Sequence, residues 1–192
     1  MNDYLELLIN FPEGLEGDVK PEDIKHAFED ELNAISKENK LIESNIGIGA
    51  DALVIVIIIS GLFLLGKKIN ENLDAWIELS KKFKKLFSKL KKKGCLIDSN
   101  GSTLIALSKI LEVEKSIKSI IEVQSIVLNS DRNQTPFLLN IPQERIDKKP
   151  NKYFIKVYFV NDDLFYICAM KSNGDIKYFG KFSDDPFEFF KY

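Results

Sequence analysis

The sequence predicts an α+β fold, and three stretches carry the prediction. A hydrophobic run at 46–66, IGIGADALVIVIIISGLFLLG, reads as a central buried helix over 52–65. A lysine-rich amphipathic helix follows over 67–93, and residues 150–192 alternate and turn like a β-meander. The expected arrangement is a helical N-terminal two-thirds packed around the hydrophobic helix, with an antiparallel meander at the C-terminus. Residues 1–140 form the mainly helical region and 150–192 the meander, in one compact unit. A chain of 192 residues is long enough for one sizeable core.

Taken in order, residues 4–11, YLELLINF, read as a short strand that could join the meander. Pro12, Gly14 and Gly17 make a loop, and Pro21 suits the first turn of a helix. Ile24, Phe28, Leu32 and Ile35 then form one apolar stripe, so a helix is expected over about 21–40. Asp51 could cap the hydrophobic helix. The VIVIII run is β-branched and would also suit a strand, but its length favours a helix.

Over 67–93, Ile69, Leu73, Trp76, Phe83, Phe87 and Leu90 recur at helical spacing, and Gly94 is a natural stop. Asp98–Gly101 is a turn before a helix over about 102–111, and 116–128 fits helix or strand equally. The meander strands are expected at 152–160, 164–170 and 176–182, joined by Asn/Asp and Ser-Asn-Gly-Asp turns.

Charge is uneven although the net is only −2. Residues 1–51 carry 13 acidic and 4 basic side chains, whereas 52–93 carry 10 lysines and 3 acids. Cys95 and Cys168 form no CxxC pair, which fits a reducing compartment and excludes a disulfide framework. The acidic N-terminus lacks the basic segment of a secretory signal. Arg132 and Arg145 are the only arginines, and the lysine-, isoleucine- and asparagine-rich composition is that of an AT-rich microbial coding sequence.

Chemistry-bearing patterns are sparse. His26 is the only histidine and sits among acids on a predicted surface. Triads and most metal sites need more His or Cys ligands than this chain has. Gly61–Lys68 matches GxxxxGK by spacing, but Lys68 stands where a phosphate loop needs Ser or Thr, and its interior is bulky and apolar. Lys152, Phe154, Val157 and Phe159 fall at positions of an RNA-binding strand motif, but Tyr153 and Ile155 replace its glycines. The paired carboxylates Asp162/Asp163 and Asp184/Asp185 fall in turns and a tail, where turn chemistry explains them.

The reading is therefore a cytoplasmic, non-enzymatic protein-interaction module with no catalytic residue, cofactor or metal. Immunity proteins, antitoxins and adaptors of bacterial conflict systems are small proteins of this kind. Its partner is expected to be another protein rather than nucleic acid, bound through Phe187, Phe189, Phe190 and Tyr192 of the aromatic tail and the open edge of the meander. The alternative is a membrane-associated protein. There 46–66 inserts into the inner membrane and residues 67–192 are cytoplasmic. Lys81, Lys82, Lys84, Lys85, Lys89, Lys91, Lys92 and Lys93 then meet anionic lipid. Asp51 weighs against insertion, since an acid costs about 2.5–3.5 kcal/mol at mid-span.

Overall fold

The computed structural model describes residues 4–11, 21–45, 51–60, 73–129 and 152–184. Two four-stranded antiparallel sheets enclose a helical layer. The α+β class holds, but the helical N-terminal two-thirds does not, because the first sheet is built largely from residues 4–60.

Strand β1 (Tyr4–Phe11) alternates Leu5, Leu7, Ile9 and Phe11 into the core. Helices α1 (Pro21–Ala27) and α2 (Glu29–Ile35) replace the single helix expected over 21–40. They are nearly continuous: Phe28 N–H bonds to Ile24 O, and Leu32 N–H to Phe28 O. The helix stops at Ser36, which is extended and donates its own N–H to Leu32 O. Asn39 Nδ2 caps Ser36 O at 2.9 Å, and the chain turns into strand β2 (Glu38–Asn45). Sheet pairing thus overrides the helical spacing after Ile35.

The hydrophobic helix expected over 52–65 is replaced over its first nine residues by strand β3 (Asp51–Ser60). It pairs with β1 on one side and β2 on the other. Ile55, Ile57 and Ile59 face the core opposite Ile9, Leu7 and Leu5. Val54, Val56 and Ile58 take the other face. A central strand with apolar side chains on both faces reads as an unbroken hydrophobic run, the pattern a buried helix also gives. Because 51–60 is consumed by sheet pairing, an inserted membrane helix over 46–66 is not what this segment forms. Among the described residues, no helix is long and apolar enough to cross a membrane. Residues 46–50 and 61–66 of that run lie outside the described residues, as does the GxxxxGK stretch.

Helix α3 (Leu73–Leu90) is the described part of the helix expected over 67–93. Trp76, Leu79, Phe83, Leu86, Phe87 and Leu90 are buried along one stripe. Lys91–Lys93 tighten into a single 3₁₀ turn, and Gly94 ends it with φ 74°. A Cβ at Gly94 would meet nothing within 4 Å. Gly94→Ala is therefore expected to cost only the left-handed backbone penalty, about 1 kcal/mol by urea denaturation. A larger loss would mean a packing role that the open space does not provide.

Strand β4 (Leu96–Ile97) leads into helix α4 (Ser99–Val113), longer than the 102–111 expected. Every residue from Gly101 to Ser108 is buried. Helix α4 contacts α3, β1 and β4 on one side and β6 and β7 on the other. It is the central helix that the sequence reading placed at 52–65.

The ambiguous stretch 116–128 resolves as strand β5 (Ile120–Asn129), with a bulge between Glu122 and Gln124. Strands β6 (Lys152–Val160), β7 (Leu164–Lys171) and β8 (Ile176–Phe182) follow at the expected places. They pair in sequence order, and β5 extends them on the β6 edge. The N-terminal strand belongs to the other sheet, order β2-β3-β1-β4, and not to this one. The β6–β7 turn puts Asn161 at φ 54° and Asp162 at φ 62°, with Asp163 N–H on Val160 O. Two consecutive left-handed residues are the type I′ turn that suits strand twist, and Asn and Asp tolerate it.

Candidate functional site

The segment from Ile97 to Asn100 fastens the two sheets together. Ile97 N–H reaches Ser172 O beside the C-terminal sheet, and the next amide, Asp98 N–H, reaches Leu8 O in β1. Asn100 Nδ2 donates to Glu6 O of β1 at 2.7 Å. Ser99, between them, accepts from Lys156 Nζ of β6 at 3.0 Å. Asp98 caps α4, its carboxylate accepting from Gly101 N–H at 2.7 Å.

Lys156 is the centre of a polar cluster inside an apolar fold. Strand alternation places Phe154, Lys156, Tyr158 and Val160 on the same inward face, and the lysine side chain is only 3% exposed. Its Nζ donates to Ser99 Oγ and, at 2.7 Å, to Ser125 Oγ of β5. Glu122 Oε1 lies 3.7 Å away. The other Glu122 oxygen accepts from Tyr158 OH at 2.9 Å and from Thr103 Oγ1 at 3.2 Å. Ser125 is exposed on the edge strand, and Ser99 is half-buried. The cluster therefore lies just beneath the β5 edge.

Burial dominates its electrostatics. It pulls the Lys156 amine below the ordinary lysine value, against Glu122 and Asp98, which favour the charged form. Burial likewise raises the Tyr158 phenol well above its usual range. The Asp98 carboxyl is pushed up from 3.8 to about 6, mainly by burial, while the Gly101 N–H pulls the other way. A raised acid favours the protonated fold. Its contribution to stability is full below about pH 4 and is lost as pH rises toward about 6. Asp98→Asn keeps a capping side chain and abolishes that slope. Relative to the Asn variant, wild type is expected to lose about 1–3 kcal/mol between pH 4 and pH 7 in urea titrations. A pH-independent difference would place the carboxyl at its ordinary value. The carboxylates Glu31, Glu78, Glu114 and Asp175 have the opposite sign, since their lysine partners lower them.

Other candidate chemistries fall away on placement. Both thiols are buried and pushed up to about 12, which removes them as nucleophiles near neutral pH. His26 is exposed, with Nδ1 3.6 Å from Glu29. Among the described residues, no group of three or more His, Cys, Asp or Glu converges as a metal site. Phe154 of the RNA-motif stretch is buried in the core rather than presented for base stacking.

Three lysines of α3 and one of the 3₁₀ turn after it form ion pairs. Lys82 pairs with Glu78 at 2.6 Å, Lys84 with Glu112 of α4, Lys89 with Glu31 of α2, and Lys91 with Asp175 of the β7–β8 turn. Lys81, Lys85 and Lys92 are exposed. The side chain of Lys93 lies outside the described residues, as do Phe187, Phe189, Phe190 and Tyr192.

The second feature is the outward face of the C-terminal sheet. Register places Tyr153, Ile155, Val157 and Phe159 of β6 on that face, with Val157 buried and the other three half-buried. Ile121, Gln124 and Ile126 of β5, Phe165, Ile167 and Ala169 of β7, and Tyr178 and Phe182 of β8 lie opposite them on the same face. Phe159 and Phe165 pack at 4.7 Å between centroids. Among the described residues, Lys171 is the only charged side chain that register puts there, with Nζ 5.8 Å from the centre of the Tyr153 ring. No protein-family model and no curated protein matches this chain.

Proposed function

We propose that the protein acts by binding another protein, as an immunity protein, antitoxin or adaptor of a bacterial conflict system does, in the cytoplasm and without a cofactor. The observation that supports this reading is the outward face of β5–β8. Large contiguous apolar faces on folded domains mark interaction sites, because water contact is unfavourable there. The face carries the residue types that anchor interfaces, with Tyr153, Phe159, Phe165 and Tyr178 among aliphatic neighbours. Strands β5 and β8 are the sheet's edges, where backbone groups can take an added strand.

The test uses the double variant Ile126→Glu, Phe165→Glu, both half-buried on the face. A partner captured by the wild-type chain from its own cells is expected to be lost by the variant, with circular dichroism unchanged. Retention of the partner by a folded variant moves the contact elsewhere. If wild type captures nothing under several conditions, the binding reading fails.

A further inference from the structure

We propose that Ser99 and Lys156 form an acyl-transfer site beneath the β5 edge, with Ser99 Oγ as nucleophile and Lys156 Nζ as its base, acting on small carboxylic esters. This goes beyond the protein-binding reading and stands independently of it. At rest Lys156 Nζ donates to Ser99 Oγ, and once the amine is neutral its lone pair can take the hydroxyl proton across the same contact. Nζ and Oγ are 3.0 Å apart, within reach for direct proton transfer. Ser125 Oγ, 2.7 Å from the same nitrogen, fixes the amine in place. The amine is 3% exposed, and burial favours its neutral, basic form.

Ser99 is also the first residue of α4. Helix geometry gives the first-turn amides no intrahelical acceptor. Gly101 N–H is taken by the Asp98 carboxylate and Ser102 N–H by Asp98 O. That leaves the amides of Ser99 and Asn100, which have no intrahelical acceptor, as the proposed donors to the carbonyl oxygen as it gathers charge under attack.

In the step itself, Ser99 Oγ bonds to the ester carbonyl carbon and its proton passes to Lys156 Nζ. The carbon–oxygen bond to the alcohol then breaks, and Lys156 returns the proton to the departing alkoxide. Water, deprotonated by the same amine, cleaves the acyl-serine and regenerates both groups. Glu122 is the brake on this site. Its oxygen, 3.7 Å from Nζ, holds the proton on the amine. Glu122→Gln can keep Tyr158 OH as a donor while removing the negative charge.

The probe is an alkyl fluorophosphonate, which bonds through phosphorus to an activated serine with loss of fluoride. Labelled sites are mapped by mass spectrometry. Labelling of Ser99 is expected to rise with pH. In Glu122→Gln the rise shifts to lower pH, with labelling about tenfold faster at pH 7, a factor equal to one unit of amine pKa. Ser99→Ala abolishes the adduct, whereas Ser88→Ala, an exposed hydroxyl on α3 away from the cluster, retains it. The proposal is overturned if neither wild type nor a folded Glu122→Gln variant is labelled at Ser99. It is equally overturned if Ser99→Ala is labelled at the wild-type rate, or if labelling does not respond to Glu122.

Discussion

Gly174→Ala is expected to destabilise the protein by about 2–5 kcal/mol. Two independent costs add at this residue. Its φ is +75°, which an L side chain adopts at about 1–2 kcal/mol. A Cβ there would sit 2.1 Å from Cε1 of Phe87 and 2.7 Å from its Cζ. Phe87 cannot swing away cheaply, being buried on α3 and stacked on Phe83 at 6.1 Å with rings 2° from parallel. Overpacking of that kind costs about 1–3 kcal/mol. The turn is further tied by Gly174 N–H to Lys171 O and Lys171 N–H to Asp175 O, and Lys91 pairs with Asp175 beside it. A substitution here therefore strains the contact between α3 and the C-terminal sheet, not a surface loop. Urea denaturation of Gly174→Ala, Phe87→Leu and the double variant measures it. The double variant should be less destabilised than the sum of the singles by about 0.5–3 kcal/mol, because the smaller side chain relieves the clash. Additive effects would sink the packing argument and leave only the backbone cost.

Much of this fold is written locally. Strand β1 alternates cleanly and appears over the residues expected. The meander strands are bounded by turn residues whose chemistry matches their backbone: Asn161 and Asp162 at positive φ, and Gly174 where only glycine fits. The lysine helix shows because its buried stripe and charged face repeat over 18 residues. Misassignments arise where two structures leave the same local trace. Strand β3 needs apolar side chains on both faces, so its run carries no alternation to distinguish it from a buried helix. Helix α4 is the converse. It is buried nearly all round, and its serines and threonine mask that fact in composition. Ser102 and Ser108 each turn their hydroxyls back onto a carbonyl three residues earlier, which makes burial tolerable.

The polar cluster was legible only in part. Ser99 and Lys156 are 57 residues apart, and nothing in sequence spacing brings them together. One signal was present. In KYFIKVYFV, Lys156 shares parity with Phe154 and Tyr158, so a lysine falls on the face that two aromatics mark as buried. A buried lysine requires acceptors, and their identity awaits the fold. The lysine face of α3 is the opposite case. Conspicuous in sequence, it is explained in part by ion pairs with Glu78 in the same helix, Glu112 of α4 and Glu31 of α2, and otherwise by solvation.

Lys156→Met is expected to cost about 3–5 kcal/mol, the usual result of removing one partner from a buried ion pair. The loss comes less from attraction forgone than from what stays behind. Glu122 would keep a negative charge at 20% exposure, with only the neutral donors Tyr158 and Thr103. Ser99 and Ser125 would lose their donor as well. Adding Glu122→Gln removes the uncompensated charge, so the double variant should recover about 1–3 kcal/mol relative to the sum of the single changes. Urea titrations of the four proteins close the cycle, and additivity within about 0.5 kcal/mol would show that the two groups do not act as a pair. The cluster's position makes a second, local consequence follow. Lys156 is the only link from β6 to the first turn of α4 through Ser99 among the described residues, whereas Asp98 and Asn100 hold the same turn to β1. Without the lysine, that turn should keep its bonds to β1 and lose its bond to β6, leaving Ile97 N–H on Ser172 O and Thr103 Oγ1 on Glu122 as its flanking links to the C-terminal sheet. Amide exchange at Gly101 and Ser102 would then quicken more than at Ile110, in the last turn of the same helix. Uniform quickening along α4 would mean that the substitution weakens the whole fold rather than this fastening.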